Sequence, residues 1–331
     1  MHQIKHKNQY GFINSQGDIL IRPQFEAVRD FNEGLAWVVL EKDENWVSGF
    51  INENGEFAIH PQFSGYGLSD LESIYFSEGI APIRLGKKEM TFVDTKGVHV
   101  SEQIFDQTFP FSEGMALVKK GDLYGYVDKN TRISIDYKFG QPSFFGASAQ
   151  FSEGTALVRI MNPENNDTEY FGYISNTGEF LFTEPLTGAT PFKEGCAMVR
   201  KLNGGSKYSV INKFGEAVFD KRSSMASTYS EGLLAFYDIQ TELFGYLNKA
   251  GDWAIKPQFV LAQKFTQGLA AIQDVDSGLF GYINADGEAA IHPQFSSCLP
   301  FRMGLAFVQT RGESGYINTS GQYVWKSSAS K

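Results

Sequence analysis

Tyr10-Gly11-Phe12-Ile13-Asn14-Ser15-Gln16-Gly17, followed by Pro23-Gln24-Phe25 and then by Phe31-Asn32-Glu33-Gly34-Leu35-Ala36, is the stretch whose reading decides the fold. Its first part returns as Gly49-Phe50-Ile51-Asn52 with Gly55, Gly245-Tyr246-Leu247-Asn248 with Gly251, Gly281-Tyr282-Ile283-Asn284 with Gly287, and Gly315-Tyr316-Ile317-Asn318 with Gly321. Weaker copies near Thr91, Gly125, Gly172 and Ser209 bring the starts to nine. The Glu-Gly-x-Ala part recurs eight times, at Gly34, Gly79, Gly114, Gly154, Gly195, Gly232, Gly268 and Gly304. In six of the eight units 23 residues separate the first glycine position from the second, and the exceptions, units two and four, measure 30 and 29. A constant core joined by variable links is the mark of a structural repeat connected by surface loops.

Each unit reads as short antiparallel strands. Gly-aromatic-Ile-Asn makes one strand, Asn-x-x-Gly a tight turn in which asparagine and glycine tolerate left-handed backbone, and the residues after it a return strand. Pro23, Pro61, Pro257 and Pro293 follow in the clearest units. Proline has no N–H for a ladder, so the return strand is expected to end there. The Gly-Leu-Ala-aromatic-Val stretch forms a further strand. Its alanine recurs at Ala36, Ala81, Ala116, Ala156, Ala197, Ala270 and Ala306, with Leu234 the exception. A small residue in nearly every copy points to a crowded place, such as an innermost strand.

Gly-Tyr-Ile-Asn-x-x-Gly, Pro-Gln-Phe and Phe-x-Glu-Gly-x-Ala together resemble the WG repeat family, also called KWG repeats, over almost the whole chain. The tryptophan that names the family is absent before the glycine: Tyr10, Tyr124, Phe171, Phe244 and Phe280 stand there, and Ser48 and Ser314 are not aromatic. The resemblance implies a bacterial repeat array and supports a fold class more than an activity. The expected fold is all-β, built of tandem short β-hairpin or meander repeats and β-propeller-like, with an open β-solenoid-like array as the alternative. Residues 1–331 are expected to form a single repeat domain, with units starting near 10, 48, 90, 124, 171, 208, 244, 280 and 314.

Composition narrows the function. A net charge of −9 argues against non-specific binding to nucleic acid or anionic lipid, both of which need a basic face. No run of 18 apolar residues exists, so no spanning helix is expected. Met1-His2-Gln3-Ile4-Lys5-His6-Lys7 lacks a following apolar run and does not read as a secretory signal, which makes a cytoplasmic, monomeric chain the expectation. The two cysteines, Cys196 and Cys298, form neither a disulfide framework nor a metal-binding pair, and Cys196 stands where other copies carry an apolar residue.

No catalytic, cofactor or metal motif is present. His60 and His292 share a slot before Pro-Gln-Phe with Arg22 and Lys256, so they read as solvated surface. That slot is basic in the outer units and acidic at Glu102, Asp136 and Asp220, a division that could orient a partner. The recurring Glu33, Glu78, Glu113, Glu153, Glu194 and Glu231 are expected to accept backbone N–H bonds within their own turns. Lone acids such as Asp70 and Asp106 would matter only if paired in a cleft, as in glycosidases.

Function is expected where the spacing breaks. Unit two gains residues around Tyr66, unit four gains residues around Phe144 and Phe145, and the long link 161–169 carries Glu164 and Asp167. These five are the candidate partner-binding residues. The expected role is a non-enzymatic scaffold for a protein or peptide. A carbohydrate-binding or carbohydrate-cleaving protein and a passive spacer array are the alternatives.

Overall fold

The computed structural model describes residues 1–64, 74–142, 149–161, 170–203, 205 and 207–327. Over these residues the chain is all-β and antiparallel, without a helix. It divides into two compact units: Met1–Asn14, Asp18–Glu169 and Tyr173–Phe180 form the first, and Ser15–Gly17, Tyr170–Gly172 and Leu181–Lys331 the second.

One sheet of the first unit shows the plan. Ala27–Val28, Leu35–Lys42, Asn45–Asn52 and Phe57–Ser64 follow one another in space as in sequence. The Ala36 strand pairs with the Gly-aromatic strand of the next sequence repeat, Ala36 facing Ile51 and Val38 facing Gly49. This sheet is thus offset from the sequence repeat, beginning after one Pro-Gln-Phe and ending at the next, and elsewhere strands join across repeats into sheets of ten and seven strands. The same phase starts the chain at His2–His6 paired with Gln9–Ile13 and closes it on Tyr323–Lys326.

The alanines are fully buried, as crowding demands. Leu35–Lys42, Met115–Lys120 and Leu305–Gln309 each have a strand on both sides, and a two-residue segment such as Ala27–Val28 or Gln107–Thr108 takes the edge, whereas Ile80–Gly86, which carries Ala81, is one of the two strands of its own sheet.

Proline also acts differently from expectation. The return strands run through it, as Ile19–Phe25, Phe57–Ser64, Trp253–Ala262 and Ala289–Phe295. Phe280 pairs with Phe295 and Tyr282 with Ile291, so one residue between the pairs on one strand opposes three on the other. His292-Pro293-Gln294 occupies this bulge, where the missing N–H costs no ladder bond. The bulge explains the glycine opposite: a Cβ on Gly281 would lie 2.6 Å from the Ile291 carbonyl oxygen and 2.8 Å from the Pro293 nitrogen. Gly11, Gly49 and Gly245 meet the same crowding from their own bulges.

The Asn-x-x-Gly turn divides its labour. Glycine takes the left-handed conformation, at φ 82° for Gly55, whereas Asn52 works through its side chain. Asn52 Oδ1 accepts the N–H groups of Asn54 and Glu56, each at 3.0 Å, and its amide donates to the Glu56 carboxylate at 3.0 Å.

The core lies between successive sheets. Phe12, Ile21 and Phe25 of the first sheet pack with Val28, Phe31, Ala36 and Ile51 of the second. In the second unit Tyr282, Ile291 and Phe295 pack with Cys298, Phe301, Ala306 and Ile317. The aromatic after the repeat glycine meets the aromatic before the next Glu-Gly turn. Ring centroids are 4.8 Å apart for Phe12 and Phe31, 4.7 Å for Phe50 and Phe76, and 4.8 Å for Tyr246 and Phe265, all edge-on. Such pairs add about 0.5–1.5 kcal/mol beyond their buried area. Turn glycines pack outward onto the preceding sheet, Gly55 against Ile21 and Gly287 against Ile255. Within the second unit Gly17 lies against Val324 of the last strand.

Gly281→Ala is expected to destabilise the chain by about 2–3 kcal/mol in urea unfolding, the scale of overpacking. Gly312→Ala, where a Cβ meets nothing within 4 Å, is expected to change little. Equal effects would contradict the bulge account.

Candidate functional site

The repeated polar residues converge on the Glu-Gly turns. Asn32 N–H donates to the Leu35 carbonyl at 2.9 Å and Leu35 N–H returns to the Asn32 carbonyl at 3.0 Å, closing a two-residue hairpin. With φ at 50° for Glu33 and 78° for Gly34, this is a type I′ turn. The first position of that turn suits asparagine, aspartate or glycine. Glutamate there is uncommon, yet all six recurring glutamates have φ between 50° and 57°.

Their carboxylates show why. Glu33 accepts the N–H groups of Glu78, at 2.6 Å, and Gly79, at 2.9 Å, in the next turn. Glu78 in turn accepts from Gly114 at 3.1 and 3.2 Å, and Glu113 from Gly154 at 2.8 Å. The second unit repeats the pattern: Glu194 accepts from Gly232 at 3.1 and 3.2 Å, and Glu231 from Gly268 at 2.9 Å. The Gln267 amide oxygen accepts from Gly304 at 2.9 Å without a charge. Glu33, Glu78, Glu113, Glu194 and Glu231 therefore serve the following repeat and not their own turn, which corrects the expectation from sequence for these five. Only a side chain as long as Glu or Gln spans that distance.

Other groups reinforce the joint. Ser112 donates to the Phe151 carbonyl at 2.6 Å and Ser230 to the Phe265 carbonyl at 2.7 Å. Lys129 reaches the Glu78 carboxylate at 3.0 Å, and Lys249 reaches the Glu194 carbonyl at 2.6 Å and its carboxylate at 3.1 Å. Partial burial works to raise the Glu78 pKa, but hydrogen bonds from Lys129 and Gly114 and the Lys129 charge outweigh it and hold this carboxyl below its ordinary value.

The remaining reactive groups are also engaged. Tyr126, Tyr246 and Tyr282 donate to the carbonyls of Ala149, Gln263 and Leu299 at 2.7, 2.7 and 2.8 Å, and burial pushes each phenol above its ordinary range. Burial pushes the Cys298 thiol up to about 11, while Cys196 packs against the cluster containing Met198 and Val210. Both cysteines are free thiols. Asp106 accepts the Gly121 N–H at 2.7 Å. Arg22, His60, Lys256 and His292 are exposed, as the shared slot implies, and so are Glu102, Asp136 and Asp220. Among the described residues no group of three or more His, Cys, Asp or Glu could hold a metal ion, and no helix is long and apolar enough to cross a membrane.

Tyr66, Phe144, Phe145, Glu164 and Asp167 lie outside the described residues, as does Asp70. The structure does describe the strand ends that lead to these segments. Ser64 pairs with Val47, beside the Asp43-Glu44 link, and Gly140 pairs with Arg159 just before the 161–169 link. The described strands Phe57–Ser64 and Ile133–Gly140 therefore both end away from the turns at Asn52 and Asp128 that precede them. Sequence reading passed over Phe214, a turn residue 82% exposed, and several exposed aliphatic residues on the hairpins of the second unit. Their signal was present, since Phe214 stands where other turns carry Gln16, Asn54 or Ser320.

A family model described as WG containing repeat matches residues 10–46, 49–88, 90–124, 244–274 and 280–313, more than half of the chain. The chain belongs to the WG-containing repeat family. The matched segments of this WG-containing repeat protein hold the turns at Gly34, Gly79, Gly114, Gly268 and Gly304 and the strands that precede them in each repeat. No curated protein sequence matches it. Among solved structures it is similar to a eukaryotic initiation factor, with a TM-score of 0.61 and 11% identity over 98% of this chain and 95% of that one. It is also similar to dipeptidyl peptidase 4 of Porphyromonas gingivalis, with a TM-score of 0.57 and 8% identity over 92% of this chain and 59% of that one. At such identities the likeness concerns fold alone, and the fold is β-propeller-like.

The lowered Glu78 pKa fixes a pH dependence. A depressed folded-state pKa contributes stability above the unfolded carboxylate value, near 4.5, that is lost as pH falls through the folded value. Glu78→Gln should therefore unfold at lower urea than the parent at pH 7 and converge with it in acid. A difference that stays constant with pH would contradict this.

Proposed function

We propose that this WG-containing repeat protein is a non-enzymatic scaffold that binds a protein or peptide partner through segments interrupting the repeat. One observation carries the reading: the polar groups that recur from repeat to repeat are bonded into the scaffold. Glu33, Glu78, Glu113, Glu194 and Glu231 are held by the next turn, Tyr126, Tyr246 and Tyr282 by backbone carbonyls, and Asp106 by Gly121. Groups tied up in this way are poor candidates for acid–base or nucleophilic work, which needs a poised, asymmetric site.

Residues without a duty in the repeat are then the place to seek recognition. Tyr66, Phe144 and Phe145 are large apolar residues at breaks in the spacing, and Glu164 and Asp167 add negative charge in the long link. Aromatic anchors with a charged rim suit a peptide or protein surface. The likeness to the peptidase concerns fold and does not supply a catalytic group. Phe12, Phe50, Tyr246 and Tyr282, the aromatics after the repeat glycine, are buried between sheets, which counts against a row of sugar platforms built from them.

The test is a peptide array and a glycan array probed with the full chain, beside panels of chromogenic peptide, ester and glycoside substrates. Saturable peptide binding is expected. Phe144→Ala with Phe145→Ala should abolish it and leave the circular dichroism spectrum and melting midpoint unchanged. Turnover of a panel substrate, or glycan binding without peptide binding, would overturn the proposal.

A further inference from the structure

The second unit carries exposed aliphatic side chains on its hairpin ends. Two hairpin ends are involved: Asp238-Ile239-Gln240-Thr241-Glu242-Leu243 and Asp274-Val275-Asp276-Ser277-Gly278-Leu279. Between them the strand Trp253–Ala262 presents Val260 and Leu261. Strand pairing brings the three together. Phe259 faces both Phe244, next to the first hairpin end, and Asp274, which opens the second, while Leu261 faces Gln273. Asp274 N–H donates to the Leu279 carbonyl at 3.0 Å, so the second hairpin end folds back on itself. Ile239, Val260, Leu261, Val275 and Leu279 are all exposed at this corner, Val260 by 45% and Val275 by 48%.

The charge on the two hairpin ends has one sign, while the strand between them carries Lys256 at its Pro257 bulge. Asp238, Glu242, Asp274 and Asp276 lie on the two hairpin ends, and neither end contains Lys or Arg. Asp238 accepts from the Thr241 hydroxyl at 2.8 Å and Asp274 from the Ser277 hydroxyl at 2.7 Å. These bonds keep both hairpin ends shaped, and those from Ser277 hold the Asp274 carboxyl below its ordinary value. An aliphatic cluster bordered by carboxylates complements a segment with apolar residues and lysines or arginines. A second copy of this chain is a poor occupant, because each copy carries a net charge of −9.

We propose that this corner docks a basic amphipathic segment of another protein, its apolar side chains on Val260, Leu261, Val275, Leu279 and Ile239 and its cations against the four carboxylates. The surface is separate from Tyr66, Phe144 and Phe145 in sequence, and the proposal stands or falls without them.

Fluorescence anisotropy on the full chain tests it with three labelled peptides, alternating lysine and leucine, glutamate and leucine, and lysine and serine. Saturable binding of the lysine–leucine peptide alone is expected. Val260→Ser with Val275→Ser should weaken it about tenfold, and so should Glu242→Gln with Asp276→Asn, which should also flatten its salt dependence. Asp286→Asn with Glu288→Asn, at the other end of the strand Phe280–Ile283, removes the same charge and should have no effect. All of these side chains are exposed, so folding should survive each change. Three results would overturn the proposal: no saturable binding, an equal loss from the Asp286 and Glu288 variant, or self-association in sedimentation that the Val260 and Val275 variant removes.

Discussion

A glutamate held in left-handed backbone so that its carboxylate can take the N–H of the next turn is the interaction on which this architecture depends. The type I′ turn by itself would be better served by asparagine or glycine. Placing glutamate there incurs backbone strain in six copies, and in five of them, Glu33, Glu78, Glu113, Glu194 and Glu231, it returns a charge-assisted hydrogen bond to the following repeat. The bond satisfies a backbone donor that the short hairpin leaves over and fixes the position of one turn relative to the next. Gln267 achieves the same contact with a neutral amide, so reach and acceptor character matter more than charge. Where a lysine joins, as at Glu78 and Glu194, the carboxylate is further fixed without being buried.

Beneath each turn the aromatic pair continues the joint. Phe12 on Phe31, Phe50 on Phe76 and Tyr282 on Phe301 bury the face of one sheet against the entry of the next. A single three- or four-stranded sheet could not hide these rings, so neighbouring sheets are needed for each other's stability. The bulge at Pro-Gln-Phe serves the same end. It lets the return strand swing across the Gly-aromatic strand, and it forbids a side chain at the glycine opposite. Tight turn, bulge and aromatic pair together account for nearly every residue that defines the repeat, which is why the repeat says so little about function.

Much of this was legible in the sequence. The nine Gly-aromatic strands, the Asn-x-x-Gly turns and the Ala-containing strand are where the spacing places them. Two features were not. The proline was read as a strand end because its missing N–H is visible in sequence, whereas a bulge depends on the partner strand. The glutamate's partner lies some 36 to 46 residues away, beyond what a local turn motif can reveal. The corner formed by Val260, Val275 and Leu279 was hidden for the same reason, since strand pairing alone assembles it.

The most direct test of the central claim compares Glu231→Asn, Glu231→Gln and the parent chain by urea unfolding at neutral pH. Asparagine favours the left-handed backbone that Glu231 adopts, but its side chain is too short to reach the Gly268 N–H. The account predicts that Glu231→Asn lowers the unfolding midpoint and that Glu231→Gln, which keeps the reach, lowers it less. A midpoint raised by asparagine would show that local turn preference outweighs the bond between repeats, and would contradict the account.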